Sequence, residues 1–344
     1  MTPHLTASPD LYPIVLDLPG ERVGFARLSE AAYRSASFLD ERILAEFGPV
    51  SWAPWAEIER SAEALSPGAD FIFHLGHVGS TLVSRLLGSS GRLFCLREPA
   101  ILRTLAQMAW LEEARAPWPR AVFERRLEAF LRLLARVYRP GQRSLVKATS
   151  FVGEMAPLLM DRTPGGRALL MTVSPSVYLA SLLGGPNSRA SLPSLAAPRL
   201  ARLHRRLGAA PWRIEALAEG ELAAMSWACE LLGPAEAANR FPARVLWLDF
   251  EAFLDDPASG LAAALTHLRG KADPGEVAAM LRSPDVGRYS KAPQYPYDAA
   301  LRRQVLAQAR VEHREEIGRG LAWLERAFVA WPAIDAAARA AGSF

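Results

Sequence analysis

One stretch governs what this chain can fold into: Phe71-Ile-Phe-His-Leu-Gly-His-Val-Gly-Ser-Thr-Leu-Val-Ser-Arg-Leu-Leu87. It reads as a short apolar strand, a glycine-containing loop, and a helix opening on Ser80-Thr81. Loop amides and the first N–H groups of a helix converge on one point, and the helix dipole favours an anion there. Gly76 and Gly79 bring the backbone, including the Val78 amide, close to a ligand. The Ser80 and Thr81 hydroxyls add hydrogen bonds. The loop is not a Walker A sequence, which needs G-x-x-x-x-G-K-[ST]. Here His74 stands at the first Gly position and Ser80 at the Lys position. The same residues also suit an ordinary strand-to-helix turn with Ser-Thr as its cap.

From residue 71 onward, apolar runs alternate with helical patterns, as a mostly parallel sheet requires. Strands are expected near residues 71–75, 92–96, 144–147, 167–173 and 244–249. Their continuous apolar character suits strands covered on both faces. The fold class is therefore α/β: a three-layer sandwich around a mostly parallel five-stranded sheet, with helical insertions and a helical C-terminus. The 344 residues suffice for one such domain with additions.

Residues 1–66 read as an N-terminal extension packed on a main domain of residues 67–344. Within it, 11–28 suggests two short strands about a turn, 30–47 a helix, and 48–66 a connector with one helical turn. Helices are expected over 99–114 and 118–138, from about 151 and 175, and over 298–341. Gly184-Gly185-Pro186-Asn187-Ser188 has a hinge composition. The arginines and His204 that follow suit either a basic lid or a solvated helix face. Residues 287–297 form a second irregular segment.

The ordered set of motifs resembles the sulfotransferase superfamily, most nearly its tyrosylprotein-sulfotransferase branch. His77-Val78-Gly79-Ser80-Thr81 is similar to the family's [K/R]-[S/T]-G-[S/T]-T loop. Arg92-Leu-Phe-Cys-Leu96, ending in Arg97-Glu98-Pro99, resembles the second strand, and Ser144-Leu-Val-Lys-Ala-Thr149 the third. Arg167 to Pro175 with Ser181 resembles the strand ending in R-D-P. Arg244 to Pro257 resembles the late strand and its E-x-L-x-x-D-P turn. Together they span roughly residues 70–270.

The resemblance implies a function: transfer of a sulfuryl group from 3′-phosphoadenosine-5′-phosphosulfate to a hydroxyl or amine. It implies Glu98 as general base and Lys147 at the sulfonate-bridging region. His77 takes the loop's basic position, where it can hydrogen-bond the terminal group. It places the donor against Gly76, Val78, Gly79, Ser80, Thr81 and Ser181, with Arg288 and Lys291 presented by a loop that closes over the nucleotide. The partners are then the nucleotide donor and an unidentified small-molecule or peptide acceptor. Two departures stand out. Val173 and Ser174 occupy the family's Arg and Asp positions, so the usual guanidinium fork to the 3′-phosphate is missing. His77 replaces a permanent cation with a pH-dependent one. Arg85, Arg189 and Arg288 are candidates to restore the fork.

Each residue also has a plainer role. Glu98 suits a surface pair with Arg97 or Arg103, Lys147 a strand-end ammonium in solvent, and His77 a ring satisfying a backbone carbonyl.

Composition narrows the alternatives. A net charge of +4 is mild and agrees with an anionic ligand. Of 40 basic residues only Lys147, Lys271 and Lys291 are lysines. In so arginine-rich a chain, a retained lysine at 147 or 291 marks a place where a compact ammonium is needed. Two cysteines, Cys95 and Cys229, make no framework and read as inert core thiols of a reducing cytoplasm. The first ten residues lack the basic and apolar regions of a signal peptide, and no apolar run is long enough to cross a membrane. Arginines are spread out rather than striped with aromatics, which disfavours nucleic acid. His74 and His77 match no zinc pattern, so no metal is expected.

Two other functions fit parts of the pattern. Val245-Leu-Trp-Leu-Asp249 resembles a strand ending in a magnesium-binding Asp, as a nucleotide-dependent phosphotransferase would need, although the loop lacks its Lys. A binding module that kept the fold and lost the donor is the third.

Overall fold

The computed structural model describes residues 8–43, 50–111, 113–208, 211–288, 294 and 296–342. Among the described residues, eight strands form two sheets. β1 (Leu11–Asp17), β2 (Arg22–Arg27) and β3 (Ser51–Pro54) make an antiparallel sheet in that order. β4 (Asp70–His74), β5 (Leu93–Arg97), β6 (Arg143–Lys147), β7 (Ala168–Thr172) and β8 (Val245–Asp249) make an all-parallel sheet in the order β5-β6-β4-β7-β8. All five expected strands are present, each within one residue of its expected place.

Alternation along these strands builds the layers, since successive side chains of a strand point to opposite faces. Ile72, Leu145, Leu169 and Met171 enter one core with Trp227 and Leu265. Phe71, Phe73, Val146, Leu170 and Leu96 enter the other with Leu102, Leu127 and Leu159. Both faces are thus covered, as the continuous apolar runs require. The N-terminal sheet joins the second core through Tyr12, Val23, Phe25 and Ala53.

The helices that position the cleft are few. They are α1 (Glu30–Ser35), α2 (Ser80–Ser89), α3 (Ala100–Met108), α4 (Arg120–Leu134), α5 (Pro175–Leu183), α6 (Leu192–Leu207), α7 (Glu219–Arg240), α8 (Phe250–Asp255) and α9 (Ala299–Glu312). Central β4 is followed by a crossover to the edge strand β5, while β7 and β8 extend the sheet the other way. Such a reversal opens a crevice at the carboxyl ends of the strands. Among the described residues no helix is long and apolar enough to cross a membrane.

Three local expectations are corrected. The helix expected over 30–47 ends at Ser35 and gives way to a bend and a short 3₁₀ turn, Glu41–Ile43; residues 44–47 lie outside the described residues. Arg97 donates to the carbonyls of Tyr33, Arg34 and Ala36, and Arg85 to those of Arg34 and Ser35, taking acceptors that a continuing helix would use. The 48–66 connector holds β3 and a nine-residue helix, Trp55–Glu63, rather than one turn. Trp55 and Ile58 anchor that helix in the second core.

The third correction concerns the basic segment after the hinge, which is neither lid nor solvated face. It is α6, pinned by buried carboxylates. Arg202 Nη2 lies 2.9 Å from Glu230, and Arg205 and Arg206 lie 2.6 and 2.8 Å from Glu154. Arg202, Glu154 and Glu230 are all buried. The charges on α6 are therefore neutralised internally.

Candidate functional site

β4 ends in His74, whose buried ring accepts a hydrogen bond at Nδ1 from the Gly76 amide, 3.0 Å away. That bond fixes the start of the loop. Gly76, His77 and Gly79 all have left-handed backbones, with φ of 85°, 57° and 63°. The chain turns sharply and enters α2 at Ser80. Thr81, 2% exposed, has an Oγ1 with no hydrogen-bond partner among the described residues. A buried, unsatisfied hydroxyl at the first turn of a helix of this length suits an incoming acceptor oxygen.

The loop lines a cleft of about 790 Å³ at the carboxyl edge of the sheet. Gly76, His77, Val78, Gly79, Ser80 and Thr81 form one wall. Glu98, Lys147, Ser181 and Arg288 line the same cleft. The described residues expected at the donor loop, the base and the bridging position thus line one cleft, whereas Arg85 and Arg189, named as fork candidates, do not. Lys291 lies outside the described residues.

Glu98 follows β5 directly and has a left-handed backbone, φ 54°. Its amide donates to the Lys147 carbonyl at 2.7 Å, which extends the β5–β6 ladder by one rung. Lys147 ends β6, is 1% exposed, and its Nζ donates to Glu98 Oε1. Three non-glycine residues among those described have positive φ: Glu21, His77 and Glu98. Two of them line the cleft. Such backbones cost on the order of 1–3 kcal/mol each and cluster where function fixes them.

The plainer roles are set aside for two of the three. Glu98 pairs with Lys147, not with Arg97 or Arg103, whose nearest carboxylate is Glu41 at 3.8 Å. Lys147 is buried rather than solvated. The His77 ring lies edge-on to Tyr178, with centroids 6.2 Å apart.

Gly79 requires its lack of a side chain for a different reason from the one expected. A Cβ there would lie 1.9 Å from the Phe250 ring. The space beside Gly79 is filled by protein, so the glycine serves close packing as well as the turn. At Gly76 a Cβ would meet only Ser150, at 3.8 Å.

Val173 and Ser174, at the positions of the expected fork, are both engaged within the protein. Val173 is wholly buried, and its carbonyl accepts from Trp227 Nε1 at 3.2 Å. Ser174 caps α5 through the Val177 amide. Neither lines the cleft. Arg85 does not line the cleft; it donates to the Arg34 and Ser35 carbonyls at the end of α1 and lies 3.5 Å from Asp285. Arg189 is an exposed partner of Glu219 at 2.7 Å. Arg288 lines the cleft, and so does Arg302 on α9.

Arg302 is 7% exposed. Its Nη1 lies 2.6 Å from Glu251 Oε1, its guanidinium 5.2 Å over the Phe250 ring, and its buried Nη2 has no partner among the described residues. The sequence carried a signal for it. Arg302, Leu306 and Ala309 recur at helical spacing on the buried face of α9, and a charge on an apolar stripe is the informative exception.

The other titratable groups behave as core. Burial pushes the thiols of Cys95 and Cys229 up to about 11 and about 12, so both stay protonated and unreactive near neutrality. Asp249, the candidate magnesium ligand, accepts from the Ala252 amide at 2.8 Å and caps α8.

No model of a known protein family matches the chain, and no curated protein matches it. Among solved structures, it is similar to the sulfotransferase domain from the curacin biosynthetic pathway, at 12% identity and a TM-score of 0.43, over 72% of this chain and 98% of that one. It is similar to sulfotransferase STF9 from Mycobacterium avium, at 13% identity and a TM-score of 0.38, over 75% and 80% of the two chains. A sulfotransferase from Alicyclobacillus acidocaldarius overlaps it at 16% identity and a TM-score of 0.36, over 78% and 100%.

Proposed function

We propose that this chain is a sulfotransferase-like enzyme that moves a sulfuryl group from 3′-phosphoadenosine-5′-phosphosulfate to a hydroxyl or amine. The observation that supports it most is the convergence of an anion-binding loop, a buried lysine and a strained glutamate on one cleft. The donor, when bound, supplies an activated sulfur bonded to a phosphate oxygen. Everything else the reaction needs is a matter of charge and position.

Loop amides from Gly76 to Thr81 and the Thr81 hydroxyl hold the phosphosulfate end. Lys147 neutralises the charge that grows on the bridging oxygen as it leaves. Glu98 takes the proton from the acceptor as the new bond to sulfur forms. His77 donates to a terminal oxygen. At the far side of the cleft Ser181, Arg288 and Arg302 receive the second phosphate, Arg302 standing in for the guanidinium that Val173 does not provide. Its orphan Nη2 is what a phosphate oxygen would satisfy, in a charge-assisted bond.

The phosphotransferase alternative is weaker on one specific ground. Asp249, which would have to hold magnesium, has its carboxylate engaged as a helix cap and does not line the cleft.

Thermal unfolding in the presence of adenosine 3′,5′-bisphosphate, or of ATP with magnesium, tests the proposal. A ligand at 100 times its dissociation constant adds about 2.7 kcal/mol of stability. Stabilisation by the bisphosphate alone is expected. Stabilisation by ATP–magnesium alone would overturn the assignment.

A further inference from the structure

The segment after α1 is not a loose connection. Leu39 donates its amide to the Arg97 carbonyl at 2.7 Å, and its carbonyl accepts from the Ala100 amide at 3.2 Å. These two bonds bracket Glu98 on either side. Two buried guanidiniums hold the turn from beneath. Arg97 Nε donates to Ala36 O at 2.7 Å, and Arg85 Nη2 to Ser35 O and Ser37 Oγ at 3.0 and 2.9 Å. Phe38 is carried on this clamped turn and lines the cleft beside Glu98 and Lys147.

Two cations bracket its ring. The Arg42 guanidinium lies 3.7 Å from the centroid and Lys147 Nζ lies 5.7 Å from it. Arg42 is itself neutralised by Asp40, with Nε 2.7 Å from Oδ1. Thr149 and Ser150, both small and polar, line the same cleft, as do the apolar Phe250, Leu254 and Val286. Phe38 is therefore a large hydrocarbon surface close to Lys147, the partner of the carboxylate proposed to take the proton.

We infer that Phe38 is a specificity-determining residue, and that the N-terminal segment forms the acceptor wall of the cleft. It selects an acceptor whose hydroxyl or amine is borne on a flat, apolar group. The inference rests on Glu98 being the base of the proposed reaction. A nucleophile within reach of Glu98 has its neighbouring atoms against the Phe38 ring. Carbon frames gain from that contact, and heavily hydrated ones such as sugars lose water without replacement.

Binding to the full chain tests this without turnover. The probes are 2-naphthol and glucose, titrated in the presence and absence of adenosine 3′,5′-bisphosphate and followed by tryptophan fluorescence. The wild type is expected to bind naphthol at least tenfold more tightly than glucose. Phe38→Ala should weaken naphthol at least tenfold and leave bisphosphate affinity in place; Phe38→Leu, which restores an apolar surface, should recover most of the loss. A residue that merely steadied Lys147 would change bisphosphate affinity and leave naphthol alone. Three outcomes overturn the inference: glucose preferred, naphthol unbound by the wild type, or naphthol affinity untouched in Phe38→Ala. If the bisphosphate fails to bind while naphthol behaves as expected, the donor assignment falls and the acceptor wall stands.

Discussion

Lys147 donates to Glu98 across the ends of two neighbouring strands, so the cation and the carboxylate that the proposed reaction needs are partners of one another. A carboxylate so engaged is held ready yet restrained. In the proposed reaction, drawing Lys147 toward a bound phosphate would release Glu98 to accept a proton. Glu98→Gln is therefore expected to keep stabilisation by adenosine 3′,5′-bisphosphate and to lower kcat by roughly 10²–10⁴-fold, the range a general base contributes. Steady-state rates and a thermal shift on the same preparation check both halves. Full activity in the variant would remove Glu98 from the mechanism.

Gly79→Val should abolish bisphosphate binding. Its φ of 63° disfavours a β-branched residue, and its Cβ would strike the Phe250 ring. Pairing it with Phe250→Ala relieves the clash and leaves the backbone strain, so the double variant should recover folding stability without recovering ligand. Isothermal titration of the two proteins reads the difference.

Arg302→Ala should change which nucleotides bind. If Arg302 meets the second phosphate, the variant loses its preference for adenosine 3′,5′-bisphosphate over adenosine 5′-monophosphate. A hydrogen bond to a charged group contributes about 1.5–3 kcal/mol, so roughly a 10- to 100-fold loss for the bisphosphate is expected. Affinity for the monophosphate should hold. An equal loss for both would show that Arg302 only supports α9.

The buried network beneath α6 should make the fold acid-sensitive. Burial works to raise the Glu230 carboxyl, but the charge and hydrogen bonds of Arg202, with help from Arg199, outweigh it and hold it below the usual glutamate value of 4.5. The native state thus binds fewer protons than the unfolded chain. This contribution is complete above about pH 4.5 and is lost as pH falls through the lower, folded value. Urea midpoints measured from pH 7 down to pH 3 should fall in that lower window. Glu230→Ala leaves Arg202 buried without its closest partner and should cost about 3–5 kcal/mol at neutral pH. Adding Arg202→Leu should return part of that loss.

The five-stranded sheet was legible because each strand is an unbroken apolar run, and only a doubly covered strand tolerates one. The loop after β4 was legible because left-handed backbone draws glycine, and Gly76 and Gly79 mark its turns. What escaped was long-range. Nothing local to residues 30–47 announces that Arg85 and Arg97 will claim the carbonyls that a longer helix would have used. The basic run on α6 suggested solvent because its partners, Glu154 and Glu230, lie 48 and 28 residues from Arg202. Arg302 was hidden by distance too: it joins the cleft from a helix more than 200 residues beyond the loop it faces. Phe38 falls inside the stretch expected as one helix, and its place beside Lys147 depends on that helix ending early.

The clamp beneath Phe38 bears on how this molecule can be dissected. A fragment trimmed to begin at residue 67 would strip Arg97 of the Tyr33, Arg34 and Ala36 acceptors and Arg85 of Arg34, Ser35 and Ser37. Each guanidinium abandoned in the interior costs about 1–3 kcal/mol or more. The first three strands are thus no detachable ornament, and shortened versions made for convenience would be expected to arrive misfolded.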